Sequence, residues 1–261
     1  MNLGKIQETL LLTLYARSLD HEILCDPLAA GIVSRIDYDF ARLRVKPTLV
    51  ASTALRALRM DDAVRSFVRD HPDGVVVDLG CGLDTRQARV DPPSTVTWYD
   101  VDYPEVVDLR PQYIAGESRL IGTDLTKPGW MAELPADRPT MLVAEGLLPF
   151  MPGDSFPAMI RGLTRHLSEG ELVLNGYTRF AAWSMKYHPT IRALGIRAAQ
   201  GFDDAREAEA WGAGLHVAGE LLITRDPLVE RFPGAARATA HLMARSAALS
   251  RQGARVLRYR F

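Results

Sequence analysis

A short apolar run followed at once by two glycines is the feature that most constrains the fold of this chain. The run spans Val75–Leu79 and leads directly into Gly80 and Gly82. Residues that are apolar on both faces of a strand predict a strand buried in a parallel sheet. Glycines directly after such a strand permit a tight turn and let a ligand approach the backbone. The segment therefore predicts an open α/β sheet with a nucleotide-type ligand at the end of this strand.

Further along the chain, short apolar segments alternate with segments of helical length. Helical spacing covers residues 155–167, between two strand-like segments. Strands separated by helices are typical of a mostly parallel α/β sheet with helices on both faces, and this is the fold class we predict. The segments with strand-like patterns after the glycine turn are 96–101, 119–122, 140–144, 171–175, 214–223 and 254–261.

The remaining parts of the chain predict how the domain is organised. Residues 1–70 have helical patterns and are expected to form an N-terminal cap, followed by a cofactor-binding core at 71–176. Residues 177–205 are expected to form a lid or substrate insert, and 206–261 to complete the core. Because no repeat, low-complexity tract or shift in composition marks a linker, we predict a single domain over residues 1–261.

The composition excludes several classes of protein and partner. With 31 Lys or Arg and 32 Asp or Glu, the net charge of −1 offers no basic field for nucleic acid or an anionic membrane surface. The two cysteines, Cys25 and Cys81, lack close Cys or His partners, so neither a disulfide framework nor a metal site is predicted. The chain has no apolar run of about 18 residues and no leader-like N-terminus. We therefore expect a cytoplasmic protein.

The glycine turn suits a nucleoside ligand better than a dinucleotide. The dinucleotide fingerprint requires a third glycine near position 85, where this chain has Thr85. Its absence argues against a pyrophosphate held at the helix N-terminus, and so disfavours a nicotinamide oxidoreductase. Gly80 and Gly82 are instead expected to bind a nucleoside without phosphate, such as S-adenosylmethionine.

Acidic residues follow the strands that come after the glycine turn. Asp102 stands 20 positions after Gly82, where a carboxylate can accept hydrogen bonds from both ribose hydroxyls. Asp124 and Leu125 follow the next strand-like segment and can contact the adenine amino group and ring. Glu145 follows the one after that and can hold the ammonium group of an amino-acid moiety. Because ligands in open sheets bind at the carboxyl ends of strands, we expect these side chains in one pocket.

Several of these segments together resemble the leucine carboxyl methyltransferase family, and within it the tetracenomycin-type bacterial polyketide O-methyltransferases. An Arg-rich segment at 56–62 is similar to a helix of that family. The resemblance implies a class I S-adenosylmethionine-dependent methyltransferase with a Rossmann-like fold and a helical cap. It extends from about residue 15 to residue 175, and its main motifs lie at 77–86 (VDLGCGLDTR), 98–106 (WYDVDYPEV), 123–125 (TDL) and 144–146 (AEG).

The resemblance also implies roles for individual residues on the cofactor. Arg56 would pair with the methionine carboxylate, and Arg17 is the nearest match to a basic residue that the family uses on the same group. Gly80 would contact the cofactor through its backbone. The other implied roles agree with those inferred from the residues themselves: Asp102 for the ribose, Asp124 and Leu125 for the adenine, and Glu145 for the amino group.

Residues for the methyl acceptor are expected in the insert. Tyr177 and His188 are the candidate general bases, which a phenol with a pKa of about 10 would need and an ionised carboxylate would not. Trp183 and Tyr187 are candidates for the wall against which an aromatic substrate stacks. The segment 146–151 (GLLPFM) lacks the aromatic Tyr-Leu pair of many relatives, so the substrate side of the pocket departs from the family.

These observations predict an O-methyltransferase that transfers a methyl group from S-adenosylmethionine to a hydroxyl or carboxyl of a small molecule, such as a polyketide-like metabolite. Two alternatives stay open at this point. One is carboxyl methylation of a peptide or protein C-terminus, and the other is a non-catalytic S-adenosylmethionine-binding protein. The sequence leaves the oligomeric state open.

Overall fold

One mixed sheet forms the centre of the molecule. The structure is a computed structural model and describes residues 8–185, 187 and 200–261. Within these residues the strands lie in the order β3-β2-β1-β4-β5-β7-β6; the first five of these pair in parallel, and β7 runs antiparallel between β5 and β6. The predicted fold class is thereby confirmed. The strands are β1 (Val75–Leu79), β2 (Thr97–Asp102), β3 (Arg119–Gly122), β4 (Thr140–Ala144), β5 (Gly170–Gly176), β6 (His216–Leu222) and β7 (Arg255–Arg260).

Helices precede the sheet and alternate with its strands. The described α-helices are α1 (Glu8–Ser18), α2 (Pro27–Arg35), α3 (Pro47–Asp70), α4 (Arg86–Val90), α5 (Pro104–Tyr113), α6 (Ser155–His166), α7 (Arg179–Met185), α8 (Gly234–Ala244) and α9 (Ala247–Ser250). Short 3₁₀ helices lie at Phe40–Leu43, Gly129–Glu133, Leu148–Phe150, Ala205–Trp211, Ile223–Arg225 and Pro227–Arg231. Over the residues that the structure describes, none of the helices has the length and apolar character needed to cross a membrane.

The two faces of the sheet are both buried, as the continuous apolar run of β1 predicts. Val75, Val77 and Leu79 pack in a cluster that includes side chains of α6, whereas Val76 packs in a second cluster with side chains of α3. Alternate residues of a strand point to opposite faces, so a strand with apolar residues at every position must be covered on both. A third apolar cluster joins α1 and α2 beside the glycine turn.

The strand order creates a crevice at the carboxyl edge of the sheet. From β1 the chain proceeds to β2 and β3 on one side, whereas β4 and β5 lie on the other. Such a reversal of strand order separates the loops that follow β1 and β4, and ligands of open α/β sheets bind there. The glycine turn and Glu145 follow these two strands and stand at that crevice.

Candidate cofactor site

The turn after β1 has a backbone that favours glycine at two positions. Gly80 and Gly82 have φ values of +68° and +49°. A Cβ at Gly80 would lie 3.1 Å from Leu147 Cδ1, so a side chain there would also crowd the loop after β4. The turn thus brings bare backbone to the crevice, as the sequence predicted for a close approach to a ligand.

Arg110, on α5, donates hydrogen bonds to carbonyl oxygens of the glycine turn. Its Nη1 donates to the carbonyl oxygens of Gly82 (2.6 Å) and Asp84 (3.2 Å), and its Nη2 donates to Asp100 Oδ2 (2.5 Å). Trp98 Nε1 donates to the other oxygen of Asp100 at 3.2 Å. Asp100 therefore positions Arg110 and does not face a ligand.

Asp102 lies at the end of β2 against the same turn. Its Oδ2 accepts a hydrogen bond from the Gly82 N–H at 2.7 Å, and its Oδ1 accepts one from the Tyr103 N–H at 2.7 Å. Burial raises the pKa of Asp102, and the two N–H groups offset part of that effect. Each carboxylate oxygen keeps a second lone pair, so the side chain can still accept hydrogen bonds from two hydroxyls.

Two adjoining cavities run along the crevice and share a wall formed by Gly80, Asp102, Tyr103, Leu147 and Phe150. The second cavity continues to Asp124, Leu125 and Thr126 after β3. The first cavity is bounded by charged side chains and by one side of α1, namely Thr9, Leu10, Leu12, Thr13, Arg17, Asp78, Asp84 and Glu145. This succession suits an elongated ligand with a charged end, a diol and a flat base.

The charged end of the site is organised around Glu145. Its Oε1 accepts from Arg56 Nε (3.1 Å) and Nη2 (2.7 Å), and its Oε2 accepts from Arg86 Nη2. Burial by itself would raise the pKa of Glu145, but the two guanidinium groups hold it below its ordinary value. Glu145 is therefore an ionised anchor for both arginines as well as part of the cavity wall.

Arg17 extends from α1 into the same region. Its Nη1 lies 3.1 Å from Asp84 Oδ2, and its Nη2 donates to the Leu83 carbonyl oxygen at 3.3 Å. Its Nε is buried without a hydrogen-bond partner in the described part of the chain, 3.8 Å from Asp26 Oδ2. Arg17 lines the first cavity, and a guanidinium has five N–H donors, so it keeps donors beyond these contacts and fits a ligand that carries a carboxylate.

The residues predicted to bind or deprotonate the methyl acceptor lie in different surroundings. The Tyr177 hydroxyl accepts a hydrogen bond from Arg56 Nη1 at 3.2 Å, which joins it to the Glu145 network. Trp183 on α7 and Tyr187 just after it are exposed, with ring centroids 4.9 Å apart, and neither lines the two cavities. His188 lies outside the described residues.

Sequence reasoning assigned no role to Asp78, Asp84, Arg86 or Arg110, which all contact the turn or its cavity. Arg86 Nη1 donates to Asp78 Oδ2 at 3.1 Å, and Arg86 Nε donates to Asp61 Oδ1 at 2.9 Å. Three of the four stand inside the motif at 77–86, which could have drawn attention to them. Arg110 has no such signal, because its contacts depend on how α5 packs behind the turn. Among the described residues, no group of His, Cys, Asp and Glu is arranged to hold a metal ion.

Comparisons with known sequences identify relatives over the whole chain. The family described as Leucine carboxyl methyltransferase matches residues 12–164. The tetracenomycin polyketide synthesis O-methyltransferase TcmP of Streptomyces glaucescens is 34% identical over 100% of this chain and 98% of that protein. An S-adenosyl-L-methionine-dependent methyltransferase, dpfgK, of Gibberella zeae is 30% identical over 84% of this chain and 83% of its own length.

Comparisons with solved structures support the fold. A DUF574 family protein of Streptomyces avermitilis aligns over 97% of this chain and 96% of that chain, with a TM-score of 0.62 and 16% identity. Magnesium protoporphyrin IX methyltransferase of Synechocystis, solved with bound SAM, aligns over 90% of this chain and 97% of its own, with a TM-score of 0.51 and 16% identity. At this level of identity the likeness concerns the arrangement of strands and helices.

Proposed function

The chain belongs to the leucine carboxyl methyltransferase family and is an S-adenosylmethionine-dependent methyltransferase, and on this premise we propose that it methylates an oxygen atom of a small molecule. The observation that carries the proposal is the run of two adjoining cavities from the Arg17 and Glu145 end, past Asp102, to Asp124 and Leu125. A 34% identical relative covering the full chain is named as a polyketide O-methyltransferase, which favours an oxygen acceptor in a polyketide-like molecule.

The residues along the two cavities follow the same order as the parts of the cofactor that they would bind. Asp102 would accept the ribose hydroxyls, and the backbone at Gly80 and Gly82 would lie against the amino-acid chain. Asp124, whose Oδ1 accepts from the Thr126 N–H at 2.9 Å and from its hydroxyl at 2.8 Å, keeps its other oxygen for the adenine amino group. These two hydrogen bonds hold the pKa of Asp124 below its ordinary value, so it accepts as a carboxylate.

The charged end fits a methionyl group. Arg17, which lines the cavity, would bind the carboxylate, and Asp78 and Glu145 on the same wall present the negative charge that an ammonium group requires. Arg56 is committed to Glu145 and Tyr177 in this structure, so it would act on the carboxylate only by leaving one of these partners.

Held by Arg17, Asp102 and Asp124, the cofactor would supply a methyl group on a cationic sulfur, an electrophile for the acceptor oxygen with a neutral thioether as its leaving group. The protein must align the acceptor and exclude water, which can lower the barrier by several kcal/mol. A carboxylate acceptor needs no base. A phenol must lose its proton, and Tyr177 beside Arg56 is the described group that we propose to orient it.

The substrate wall is proposed at α7. Phe180, Trp183 and Tyr187 form an exposed row with ring centroids 5.9 and 4.9 Å apart, and such faces suit a flat aromatic acceptor. The residues just before this helix are anchored by hydrogen bonds from Thr178 Oγ1 to Gln252 and from the Phe202 N–H to the Tyr177 carbonyl oxygen.

The decisive experiment has two stages. Calorimetric titration with S-adenosylhomocysteine should give micromolar binding to the full chain. Transfer of a labelled methyl group should then be measured with a panel of phenols, a panel of small carboxylic acids and a peptide with a free C-terminus. Labelling of a phenol or a small acid supports the proposal. Labelling of the peptide alone would replace it with peptide carboxyl methylation, and cofactor binding without transfer to any panel would favour a non-catalytic role.

A further inference from the structure

The loop after β4, residues 147–153 and here called the wall loop, supplies side chains to both cavities. Leu147 and Phe150 lie on the wall that the cavities share, and Met151 and Pro152 extend it along the second cavity. Pro149 and Pro152 have no backbone N–H with which to hold the loop. The shape of the cofactor site therefore depends on which other residues hold the wall loop in place.

Gln200 holds the wall loop by three hydrogen bonds. Its backbone N–H donates to the Pro149 carbonyl oxygen at 3.3 Å, and its side-chain Nε2 donates to the Met151 carbonyl oxygen at 3.0 Å. The same Nε2 also donates to the Gly153 carbonyl oxygen. A side-chain amide has two N–H donors, so both are directed at this loop. Because the three carbonyls belong to alternate residues, Gln200 fixes the loop along most of its length.

Gln200 extends from a base that is fixed to the sheet. Phe202 is buried, its N–H donates to the Tyr177 carbonyl oxygen at 2.9 Å, and its own carbonyl oxygen accepts from Arg255 on β7. A Cβ at Gly201 would lie 2.5 Å from the Tyr177 carbonyl oxygen, so a glycine is needed for this close approach. Residues 200–202 are thus anchored to the chain that leaves β5 on one side and to the wall loop on the other.

We propose that Gln200 is a positioning residue for the cofactor, which holds the wall loop in the conformation that the nucleoside part requires. Gln200 is not itself part of the wall of either cavity. The proposal rests on the cofactor site and is independent of which acceptor oxygen is methylated. It assigns a role in cofactor binding to a residue outside 12–164, the range over which the family matches.

The effect on affinity follows from the conformations that the wall loop can adopt. A loop without the side-chain hydrogen bonds of Gln200 samples other conformations, and the apparent dissociation constant rises as the fraction able to bind falls. Each such hydrogen bond makes a modest net contribution, so losing both should weaken binding about tenfold. A residue with only a structural role would lower the stability of the fold and leave the affinity of the folded protein unchanged.

Gln200→Glu tests the proposal, because it keeps the size of the side chain and turns a carboxylate towards two carbonyl oxygens. The full chain is titrated by calorimetry with S-adenosylhomocysteine and with adenosine. Both should bind about tenfold more weakly, since the wall loop lies at the nucleoside part that they share. Gln200→Lys, which keeps a donor at similar reach, should weaken binding less than about threefold.

Gln112→Glu is the matched control. Gln112 is exposed on α5, and its Nε2 also donates to a backbone carbonyl oxygen, that of Asp108, at 3.4 Å. The substitution therefore removes the same kind of donor and adds the same charge at a site that contacts neither the wall loop nor the cavities. It should leave both affinities unchanged.

Hydrogen exchange of the Gln200 amide gives a test that needs no variant. This N–H is bonded to the wall loop, so opening of the loop exposes it to exchange. S-adenosylhomocysteine at about ten times its dissociation constant should slow its exchange about tenfold, because opening then costs binding free energy. The amides of β6, which lies at one edge of the sheet, should show only the global effect of the ligand.

Other results would overturn the proposal. Unchanged affinities in a folded Gln200→Glu variant would reduce Gln200 to a structural contact, and an equal loss in Gln112→Glu would show a general effect of the added charge. Unchanged exchange of the Gln200 amide would do so even if the variants fail to fold. Failure of the unmodified chain to bind either ligand would instead overturn the cofactor site itself, and with it the proposed function.

Discussion

At the scale of single residues, the site depends on a buried set of charges that nearly cancel. The side chains of Arg17, Arg56, Arg86, Arg89 and Arg110 meet those of Asp26, Asp61, Asp78, Asp84, Asp100 and Glu145, and none of the eleven is more than 9% exposed. Removing one member of a buried ion pair leaves an uncompensated charge, which is more costly than replacing both. Six acids face five guanidinium groups, and burial raises the pKa of Asp78 to about 7, so the charges of the set nearly cancel at neutral pH.

The pKa of Asp78 predicts how the free energy of unfolding depends on pH. Its folded pKa of about 7 lies above the ordinary value of 3.8, so the native state keeps a proton that the unfolded chain releases. This contribution to stability is complete below about pH 4 and is lost as the pH rises towards 7, at up to about 1.4 kcal/mol per pH unit. We expect the difference in free energy of unfolding between Asp78→Asn and the parent protein to shift in favour of the variant from pH 5 to about pH 7. Urea denaturation at pH 5, 6, 7 and 8 measures this difference. A difference independent of pH would contradict this.

Asp102 should matter for binding more than for folding. Replacement by alanine removes the acceptor for the ribose hydroxyls, and hydrogen bonds to a charged group contribute about 1.5–3 kcal/mol each, so the affinity for S-adenosylhomocysteine should fall at least tenfold. The far-ultraviolet circular dichroism should match that of the parent protein, because within the described part of the protein only two hydrogen bonds are lost, those from the Gly82 and Tyr103 N–H groups to the Asp102 carboxylate. Calorimetric titration measures the change, and equal affinities would remove Asp102 from the site.

At the scale of elements, the glycine turn is shaped by its neighbours as much as by its own residues. Arg110 on α5 donates to the carbonyls inside the turn, and Leu147 after β4 closes against Gly80. The turn therefore has the correct conformation only when β1, β4 and α5 are packed together. Substitution of a residue that supports the turn, such as Arg110, should therefore lower the affinity for the cofactor even though that residue does not contact the cofactor.

Arg110→Lys tests that dependence. A lysine keeps the charge but cannot bond the turn and Asp100 at once with a planar fork. We expect S-adenosylhomocysteine affinity to fall about tenfold and stability by about 1–3 kcal/mol. Arg59→Lys is a matched control, because Arg59, like Arg110, hydrogen-bonds a buried carboxylate, with two bonds to that of Asp226, and it lies away from the cavities. A loss of affinity as large in the control would show a general effect of destabilisation.

Gly80→Ala tests the turn itself. Alanine at a φ of +68° costs about 1 kcal/mol, and its Cβ would push against Leu147 at 3.1 Å. Gly153→Ala shares the positive φ, at +51°, but its Cβ would meet nothing within 4 Å. Both variants should lose stability in urea denaturation, and only Gly80→Ala should lose S-adenosylhomocysteine affinity. Equal affinities for the two variants would contradict the close approach inferred for Gly80.

At the scale of the whole molecule, the cavity is completed by a helix that is distant in sequence from the sheet. One side of α1, from Thr9 to Arg17, lines the charged end, and its apolar side packs in a separate cluster with α2. A ligand in this cavity therefore joins the first helix to the carboxyl edge of the sheet. Its binding should therefore stabilise the contacts between α1, which packs in the cluster with α2, and the sheet, which packs in the other two clusters.

Hydrogen exchange tests this connection. Saturating S-adenosylhomocysteine should slow exchange of the backbone amides of α1 as well as those of the glycine turn, because opening of the helix then costs binding free energy. The amides of α8, which lies against the other face in the cluster of α3, should show little change beyond the global effect. Protection confined to the turn, with none in α1, would show that the helix is not part of the binding site.

The sequence by itself determined the features that depend on near neighbours in the chain. An apolar run followed by glycines predicted β1 and its turn, and the alternation of segments predicted the α/β class. Strand, turn and strand end are local patterns with fixed spacing, so the sequence also predicts that Asp102 faces a ligand, and this residue lines both cavities. The resemblance in motifs then gave the family, which the full-length relatives confirm.

Only the tertiary structure decided which charges meet. The pairing of Arg56 with Glu145 joins residues 89 positions apart, and the place of β7 between β5 and β6 has no local signal. Whether Asp78 is buried, how many donors reach it and hence where its pKa lies depend on α3, α4, α5 and β2 together. Electrostatic energies and desolvation vary with distances between elements, so a linear sequence names the charged residues while the folded chain sets their protonation and their partners.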